Sequence, residues 1–464
     1  MPISSFTGLE TARRGLLAQQ RAIEVSGHNI ANQATPGYTR QRAELTAAPA
    51  LSLVLGAGSA PVAQLGTGAN LTGIGRIRDQ FADVQYRAQV TRLGDVSTRG
   101  ELLGQAETAF AEPGSNGLSA AIDKVWRAWS DLANDPTSLP ARQVVLDATR
   151  TVADAYAQLD SQLAAVQQHA GEEYAALTAE GGPIHLAAKE LADLNDAIGA
   201  AYARGDDPND LLDRRDLVLD QLAEYGQVQV QQTLDGGGQP VKGKIDVLLG
   251  SDPTPIVSGG AAREPWALAF AASGPGTGKL GALAGIASAG GSVDQYRQAL
   301  ASSAQALASS INALHQGAGG PAILVAATGP ITPGVARPPL DVDAAIDPTQ
   351  GGSLSAFVAG SAPGLNDVAT QIAALAGSAG PQQYQALVGK IGGDVAAVTR
   401  EESTVRALTT ALADRRDAVS GVSLDEEMAD LIRFQRGYQA SARMLSTVDE
   451  MLDQLINRTG RVGL

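Results

Sequence analysis

The C-terminal end of this sequence carries one long amphipathic helix that needs a partner surface, and this need constrains the fold most. Between residues 424 and 457, apolar residues recur at steps of three and four, as they do along one face of an α-helix. They are Leu424, Met428, Leu431, Phe434, Tyr438, Ala442, Leu445, Val448, Leu452 and Leu455. Ser423 and Glu426 have the spacing of a capping box, which marks the start of the helix. We therefore expect this stripe to be buried against another part of the chain or another subunit.

The N-terminal segment 3–33 is predicted to be a second amphipathic helix and the natural partner of the first. Branched aliphatic residues recur there every seven positions, at Leu9, Leu16, Ile23 and Ile30. An isolated helix is marginal because its nucleation is costly, whereas burying each of these side chains contributes roughly 1.5–3 kcal/mol. We expect the two terminal helices to pair as an antiparallel coiled coil. The alternative is that each packs separately on a globular core.

The N-terminal helix is predicted to stop at a defined joint. Asn32 is placed to cap its last carbonyl groups. Pro36 pushes Thr35 into extended geometry, and Pro36-Gly37 at the two central positions predicts a type II turn.

The middle of the sequence is predicted to be mainly helical with one small β-rich insertion. Helical patterns cover 79–225, 293–315 and 365–420, with Trp126 and Trp129 as core residues. Strict alternation begins at Val228, and Trp266–Phe270 is a further strand candidate. The expected fold class is mainly α, with paired terminal helices, an elongated helical-bundle body and a small β-rich insertion. The predicted domains are 1–33 plus 424–464, 34–225 plus 293–423 with a loop-rich 317–362, and 226–292.

Composition excludes several classes of function. A formal net charge of −15 disfavours nucleic-acid binding, because a phosphate backbone would be repelled. The absence of cysteine removes disulfides, thiolate metal sites and cysteine nucleophiles. The sequence has neither an apolar run long enough for a membrane span nor the pattern of a cleaved signal peptide. We expect neither a membrane span nor export by such a signal.

The sequence shows no pattern typical of an active site. The four histidines His28, His169, His185 and His315 lack metal-ligand spacing. Residues 274–280 resemble a phosphate-binding loop, but Ser273 and Leu280 occupy two of its essential positions. The carboxylates between Asp206 and Asp213 lack a calcium-loop pattern, so we interpret them as caps and solvated charges. No catalytic residue, metal or cofactor is therefore predicted, and the protein is not expected to be an enzyme.

Both ends of the chain resemble a known family. The run SGHNIANQATPGYTRQ near the N-terminus and the run GVSLDEEMADLIRFQRGYQASARMLSTVDEMLDQLIN near the C-terminus resemble bacterial flagellar axial proteins, which form rod, hook and hook-associated structures. The stretches 126–163, 207–230 and 415–427 resemble the helical body of hook-associated protein 1, the FlgK type. The motif and joint residues are Asn29, Asn32, Thr35, Pro36, Gly37 and Tyr38.

The resemblance implies a structural subunit at the junction between flagellar hook and filament. It implies self-association in a ring or tube, with the hook protein and a second junction protein as neighbours. It also implies export through the flagellar type III apparatus and a cytoplasmic chaperone on the C-terminal helix. The expected location is the extracellular flagellum after a transient cytoplasmic stage. We further expect both ends of the free monomer to be disordered and to fold on assembly.

Two alternatives remain open at this point. A rod or hook protein would share both terminal motifs, but such proteins usually lack the long helical body, and a hook-like protein should be β-dominated. In a different class of function, the chain would be an axial scaffold whose insertion at 226–290 binds a ligand or carries an enzymatic site. That segment contains mostly glycine, alanine and aliphatic residues rather than clustered polar ones.

Overall fold

The computed structural model describes residues 6–53, 63–110, 114, 117–268 and 278–454, and these residues are mainly helical. The helices are α1 (Phe6–Ala31), α2 (Gln80–Phe110), α3 (Leu118–Asn134), α4 (Leu139–Thr178), α5 (Pro183–Arg204), α6 (Asn209–Tyr225), α7 (Gly278–Ala287), α8 (Ser292–Gly317), α9 (Asp367–Ala373), α10 (Ala379–Ser420) and α11 (Leu424–Asp453). The strands are β1 (Gln41–Ala47), β2 (Leu51–Leu53), β3 (Ala63–Leu65), β4 (Ala69–Arg76), β5 (Val228–Leu234), β6 (Pro240–Leu249), β7 (Val257–Ser258), β8 (Ala261–Ala262), β9 (Leu324–Ala326) and β10 (Leu340–Val342). The predicted fold class is confirmed. Within this part of the chain, no helix has the length and apolar character needed to cross a bilayer.

The helical body is built around one large hydrophobic core. Side chains of α2, α3, α4, α8, α9 and α10 meet in it. Trp126 and Trp129 are 5% and 0% exposed, which confirms the prediction that they are core residues. The 40-residue α4 runs for about 60 Å at 1.5 Å per residue, so it spans the body and contacts elements from most of the chain.

The β-rich insertion shares its core with two helices of the body. The strands β5, β6, β7 and β8 form an antiparallel sheet in that order, and α5 packs against it. Buried residues of β6 and β7 form one cluster with those of α5 and α6, including Val247, Ile198 and Leu222. A four-stranded sheet this short needs a helix to cover its apolar face. The hydrophobic interior therefore joins α5 and α6 to the insertion rather than following the predicted boundary at 226.

Two details of the insertion differ from the sequence prediction. The helix α7 was not predicted, because GKLGALAGIA has little polar contrast from which a helical period can be read. Its helical form follows from tertiary packing, since Leu280, Leu283 and Ile286 are all buried. The predicted strand Trp266–Phe270 is wrong for residues 266–268, which are irregular, and Ala269 and Phe270 lie outside the described residues. Trp266 is held instead by its Nε1, which donates to Thr178 O at 2.9 Å.

Three short antiparallel pairs of strands complete the fold. β1 pairs with β4 and β2 with β3, in the segment that follows α1. β9 pairs with β10, which confirms the short extended piece predicted at Leu340–Val342. The remainder of 317–362 is mostly irregular, as its composition indicated.

Candidate functional site: the terminal helix pair and its joint

The helices α1 and α11 pack against each other in an antiparallel pair with very close backbones. A Cβ atom placed on Gly15 would lie 3.1 Å from Ser441 Oγ, and one placed on Gly437 would lie 2.8 Å from Gln19 Cδ. Position 19 therefore meets 437 and position 15 meets 441, so the two chains run in opposite directions. Such contacts are possible only where at least one of the two facing residues is very small.

The predicted interface residues of α11 divide into two groups. Val448 is buried, and Leu431, Phe434, Leu445 and Leu452 are half-buried. Leu424, Met428 and Tyr438 are exposed by 42%, 52% and 37%, so the chain by itself leaves much of their surface uncovered. Two close approaches of α1 to α11 lie at Gly437 and Ser441, both small residues. Leu455 lies outside the described residues.

The predicted interface residues of α1 are not its most buried side chains. Leu9, Leu16, Ile23 and Ile30 are all half-buried. The residues of α1 that are fully buried are smaller: Ala12, Ala18, Ala22, Val25, Ser26 and Asn29. The heptad spacing indicated a paired helix, and the fully buried positions of α1 carry the smaller side chains.

The joint after α1 is a hydrogen-bonded turn. Tyr38 N donates to Thr35 O at 3.1 Å, and Gly37 has a φ of +78°, as a type II turn at Pro36-Gly37 requires. Asn32 Nδ2 donates to His28 O at 3.0 Å, so Asn32 caps the helix as predicted.

Asn29 fastens this turn to the strand that follows. Its Nδ2 donates to Gln41 O at 2.9 Å, and its Oδ1 accepts from Gln41 N at 2.9 Å and from the Tyr38 hydroxyl at 2.7 Å. Burial raises the pKa of Tyr38, and the negative charge of Asp210 acts in the same direction, so this hydroxyl stays a donor. The exit direction of the chain from α1 is thus fixed by three bonds to one buried amide.

Arg40 links this joint to the first turn of α11. Its guanidinium contacts Glu427 at 2.6 Å, Glu426 at 2.5 Å and Asp430 at 3.7 Å. Glu427 is only 2% exposed, so the Arg40 guanidinium is the counter-charge beside a buried carboxylate. Ser423 Oγ accepts from Glu426 N at 3.5 Å, which is the serine half of the predicted cap. The Glu426 carboxylate contacts Arg40 instead of folding back onto the cap.

A layer of buried ion pairs ties the joint to the body. Arg76 Nη1 lies 2.8 Å from both Asp213 and Asp216, and Arg78 contacts Asp83 at 2.6 Å and Asp216 at 3.1 Å. Burial alone would raise the pKa of Asp216, but the charges of Arg78 and Arg76 outweigh it and lower that pKa. Asp213 is buried and also accepts from Thr39 N at 3.0 Å. The interpretation of Asp213 as a cap or solvated charge is therefore wrong.

The same layer continues to α2 and α10. Asp220 accepts from Arg87 Nε at 2.6 Å and from Arg416 Nη1 at 2.6 Å. The Arg416 guanidinium also lies over the Tyr86 ring, 4.1 Å from its centroid. The acidic face of α6 thus holds β4, α2 and the end of α10 together immediately beside the joint.

Sequence reasoning missed these arginines and their partners. A signal was present, because Asp210, Asp213, Asp216 and Asp220 fall at helical spacing along one face of α6. The sequence does not show that their partners are Arg76, at the end of β4, and Arg78, just after it, both more than 130 residues earlier in the chain. Charged residues at helical spacing look solvated until their partners are known.

The other residues considered for chemistry have structural partners. Lys279, in the segment that resembles a phosphate loop, pairs with Glu173 at 2.8 Å. His315 Nδ1 lies 2.7 Å from Pro321 O and its Nε2 accepts from Val358 N at 2.8 Å, and burial lowers the pKa of this core histidine. His185 stacks on Trp266 with ring centroids 4.5 Å apart. Among the described residues there is no cluster of three or more metal-binding side chains.

Comparison with protein families finds three matches along the chain. Residues 103–319 match the model described as "Flagellar hook-associated protein FlgK helical domain". Residues 9–39 match "Flagella basal body rod protein", and residues 417–458 match "Flagellar basal body rod FlgEFG protein C-terminal". The two rod matches cover most of α1 and α11, and the helical-domain match covers most of the body.

Similar proteins match nearly the whole chain. Flagellar hook-associated protein 1 of Bacillus subtilis (strain 168) is 29% identical over 98% of this chain and 99% of its own length. Flagellar hook-associated protein 1 of Escherichia coli (strain K12) is 23% identical over 97% of this chain and 99% of its own. A solved structure of the flagellar hook junction protein FlgK from Burkholderia pseudomallei aligns with a TM-score of 0.44 at 22% identity, covering 53% of this chain and 47% of that one. Over nearly its whole length, the chain is therefore similar to flagellar hook-associated protein 1, and its middle part is similar to the helical domain of that family.

Proposed function

We propose that this protein is a structural subunit of the bacterial flagellum that forms the junction between hook and filament. The observation that carries the proposal is the match of nearly the whole chain to hook-associated protein 1 of two bacteria. The helical body supports this assignment over a rod or hook protein, because the rod models match only the two ends. The subunit acts by contact, and no side chain is assigned a catalytic role.

In this proposal the terminal helix pair is the assembly element. Copies of the chain form a ring or tube, with α1 and α11 on the inner side and the body stacked laterally. Of the residues of α11 between Leu424 and Asp453, only Glu427 and Val448 are buried. A helix that buries so little gains little folding energy within one chain, so neighbouring copies complete its burial.

Export and protection of the chain follow from the same property. We propose that the subunit leaves the cytoplasm unfolded through the flagellar type III apparatus and reaches the extracellular flagellum. The exposed apolar residues Leu424, Met428 and Met451 would promote aggregation before export. A cytoplasmic chaperone that covers α11 would prevent this. The hook protein and a second junction protein are the proposed neighbours after export.

A deletion strain tests the proposed function. Cells without this chain should retain hooks and lack filaments in electron micrographs, and the intact gene should restore the filaments. Complementing genes that lack residues 1–33 or 424–464 should fail to do so, although the chain is still produced in the cell. Filaments on the deletion strain would contradict the proposal, as would catalytic turnover by the purified chain.

A further inference from the structure

The segment that follows the joint has an unusual composition. Residues 45–75 contain no Asp, Glu, Lys, Arg or His, although 18% of the whole chain is charged. It is the longest uncharged stretch of the sequence. Exposed segments of soluble proteins normally carry charge, which keeps them from associating. Such a stretch is expected either in a core or at an interface.

The structure places much of this segment outside any core. β1 and β4 form its base, which is attached to α1: Ala48 is buried, and a Cβ on Gly68 would lie 3.3 Å from Thr11 O. Beyond the base, β2 and β3 pair with each other as a separate two-stranded hairpin. We call residues 45–53 and 63–75 the arm. A two-stranded hairpin is at best marginally stable in water without further contacts.

The arm presents leucines to solvent. Leu45, Leu51 and Leu65 are 38%, 45% and 38% exposed. A charged surface on a partner would gain nothing from an arm without charges, so the fitting partner surface is apolar. Burying three such side chains at an interface would supply much of the stability that the hairpin lacks.

The same chain carries an apolar surface of this kind. Leu424, Met428 and Ile432 are spaced four residues apart on α11, and all three are strongly exposed. We call these three residues the ridge. The arm and the ridge are different patches of one chain, and contact between different patches of identical subunits generates rings or helical tubes.

We propose that the arm of one subunit packs on the ridge of a second copy of this chain. This proposal rests on the proposed function, because it names the contact between copies in the junction. It explains why the predicted stripe residues Leu424 and Met428 remain exposed within one chain. It also explains the absence of charge from the arm, since a buried charge would oppose assembly.

Cross-linking between subunits tests this contact. The chain contains no cysteine, so Leu51→Cys and Met428→Cys can be introduced together without a background reaction. Flagella isolated from the complemented deletion strain are treated with a bis-maleimide. We expect a ladder of covalent oligomers of this chain from the double variant and none from either single variant. The control pair L51C/L186C, whose Leu186 on α5 is also exposed, should give no ladder.

The outcomes separate this proposal from the proposed function. If flagella of the double variant carry filaments but give no ladder, the contact is wrong and the junction role stands. The same holds if L51C is cross-linked to a different axial protein. If the double variant has no filaments, the pair L65C/I432C replaces it. If that pair also has no filaments, two single substitutions to aspartate are compared instead. Leu51→Asp should then lower the fraction of cells with filaments by about tenfold, the effect of roughly 1.4 kcal/mol, and Leu186→Asp should not. Equal effects of the two aspartates would reject the contact.

Discussion

At the scale of single residues, the joint depends on buried charges that compensate one another. Asp216 lies between Arg76, Arg78 and Arg87, and all four side chains are largely buried. Removing charges from water is costly, and here that cost is met by close ion pairs and hydrogen bonds. Such a layer favours one arrangement of β4, α2 and α6, since displacing any of them would leave a charge unpaired.

Replacing Asp216 tests this layer. Asp216→Asn leaves three buried arginines with too little negative charge, so we expect the free energy of unfolding to fall by roughly 3–5 kcal/mol at neutral pH. The folded pKa of Asp216 is lowered, so its contribution is present above the unfolded pKa of about 3.9 and is lost as pH falls through the folded pKa. Urea unfolding between pH 3 and 7 measures both effects.

The matched control is Asp193→Asn on α5, whose side chain is exposed. It should change the free energy of unfolding by less than about 0.5 kcal/mol. Equal stabilities of the two variants at pH 7 would show that the layer contributes nothing to the fold.

At the scale of elements, the pair of α1 and α11 is held by close approach more than by large side chains. Gly15 and Gly437 sit where the backbones are nearest, and alanines fill much of the buried surface of α1. Dispersion contacts between closely packed backbones replace the deep burial of leucine found in most helix pairs. A larger side chain at the contact must therefore separate the helices.

Two glycines of α1 provide a matched test. Gly15→Leu places a side chain where a Cβ already meets Ser441 at 3.1 Å, so filament formation should fall strongly. A Cβ placed on Gly27 would have no atom within 4 Å, and glycine is a poor helix former. Filaments should therefore persist in the Gly27→Leu variant. Counts of filament-bearing cells compare the two. Equal counts would mean that the close contact is not needed for assembly.

The sequence predicted the elements of this fold better than their contacts. The bounds of α8 and α11 were predicted closely, because apolar periods and, for α11, the cap at Ser423 mark them locally. The contact between α1 and α11 was predicted to involve the whole apolar stripe of α11, including the exposed Leu424, Met428 and Tyr438, because large apolar residues dominate any periodic pattern. Close approach at Gly437 depends on the facing residue, Gln19, which the local sequence does not identify.

At the scale of the whole molecule, the body and the ends differ in how they are stabilised. The body buries aromatic and aliphatic side chains such as Trp129, Tyr156 and Leu163 in a shared core. The C-terminal helix α11, by contrast, buries only Glu427 and Val448 between Leu424 and Asp453. In such a chain the body can be folded in solution, while the terminal helices fold stably only when the subunits assemble.

Amide hydrogen exchange on the free chain and on isolated flagella tests this division most directly. We predict rapid exchange in α1 and α11 of the free monomer, strong protection of the body core in both states, and protection of both terminal helices only in flagella. Strong protection of α1 and α11 in the free monomer would contradict the claim that assembly supplies their folding energy.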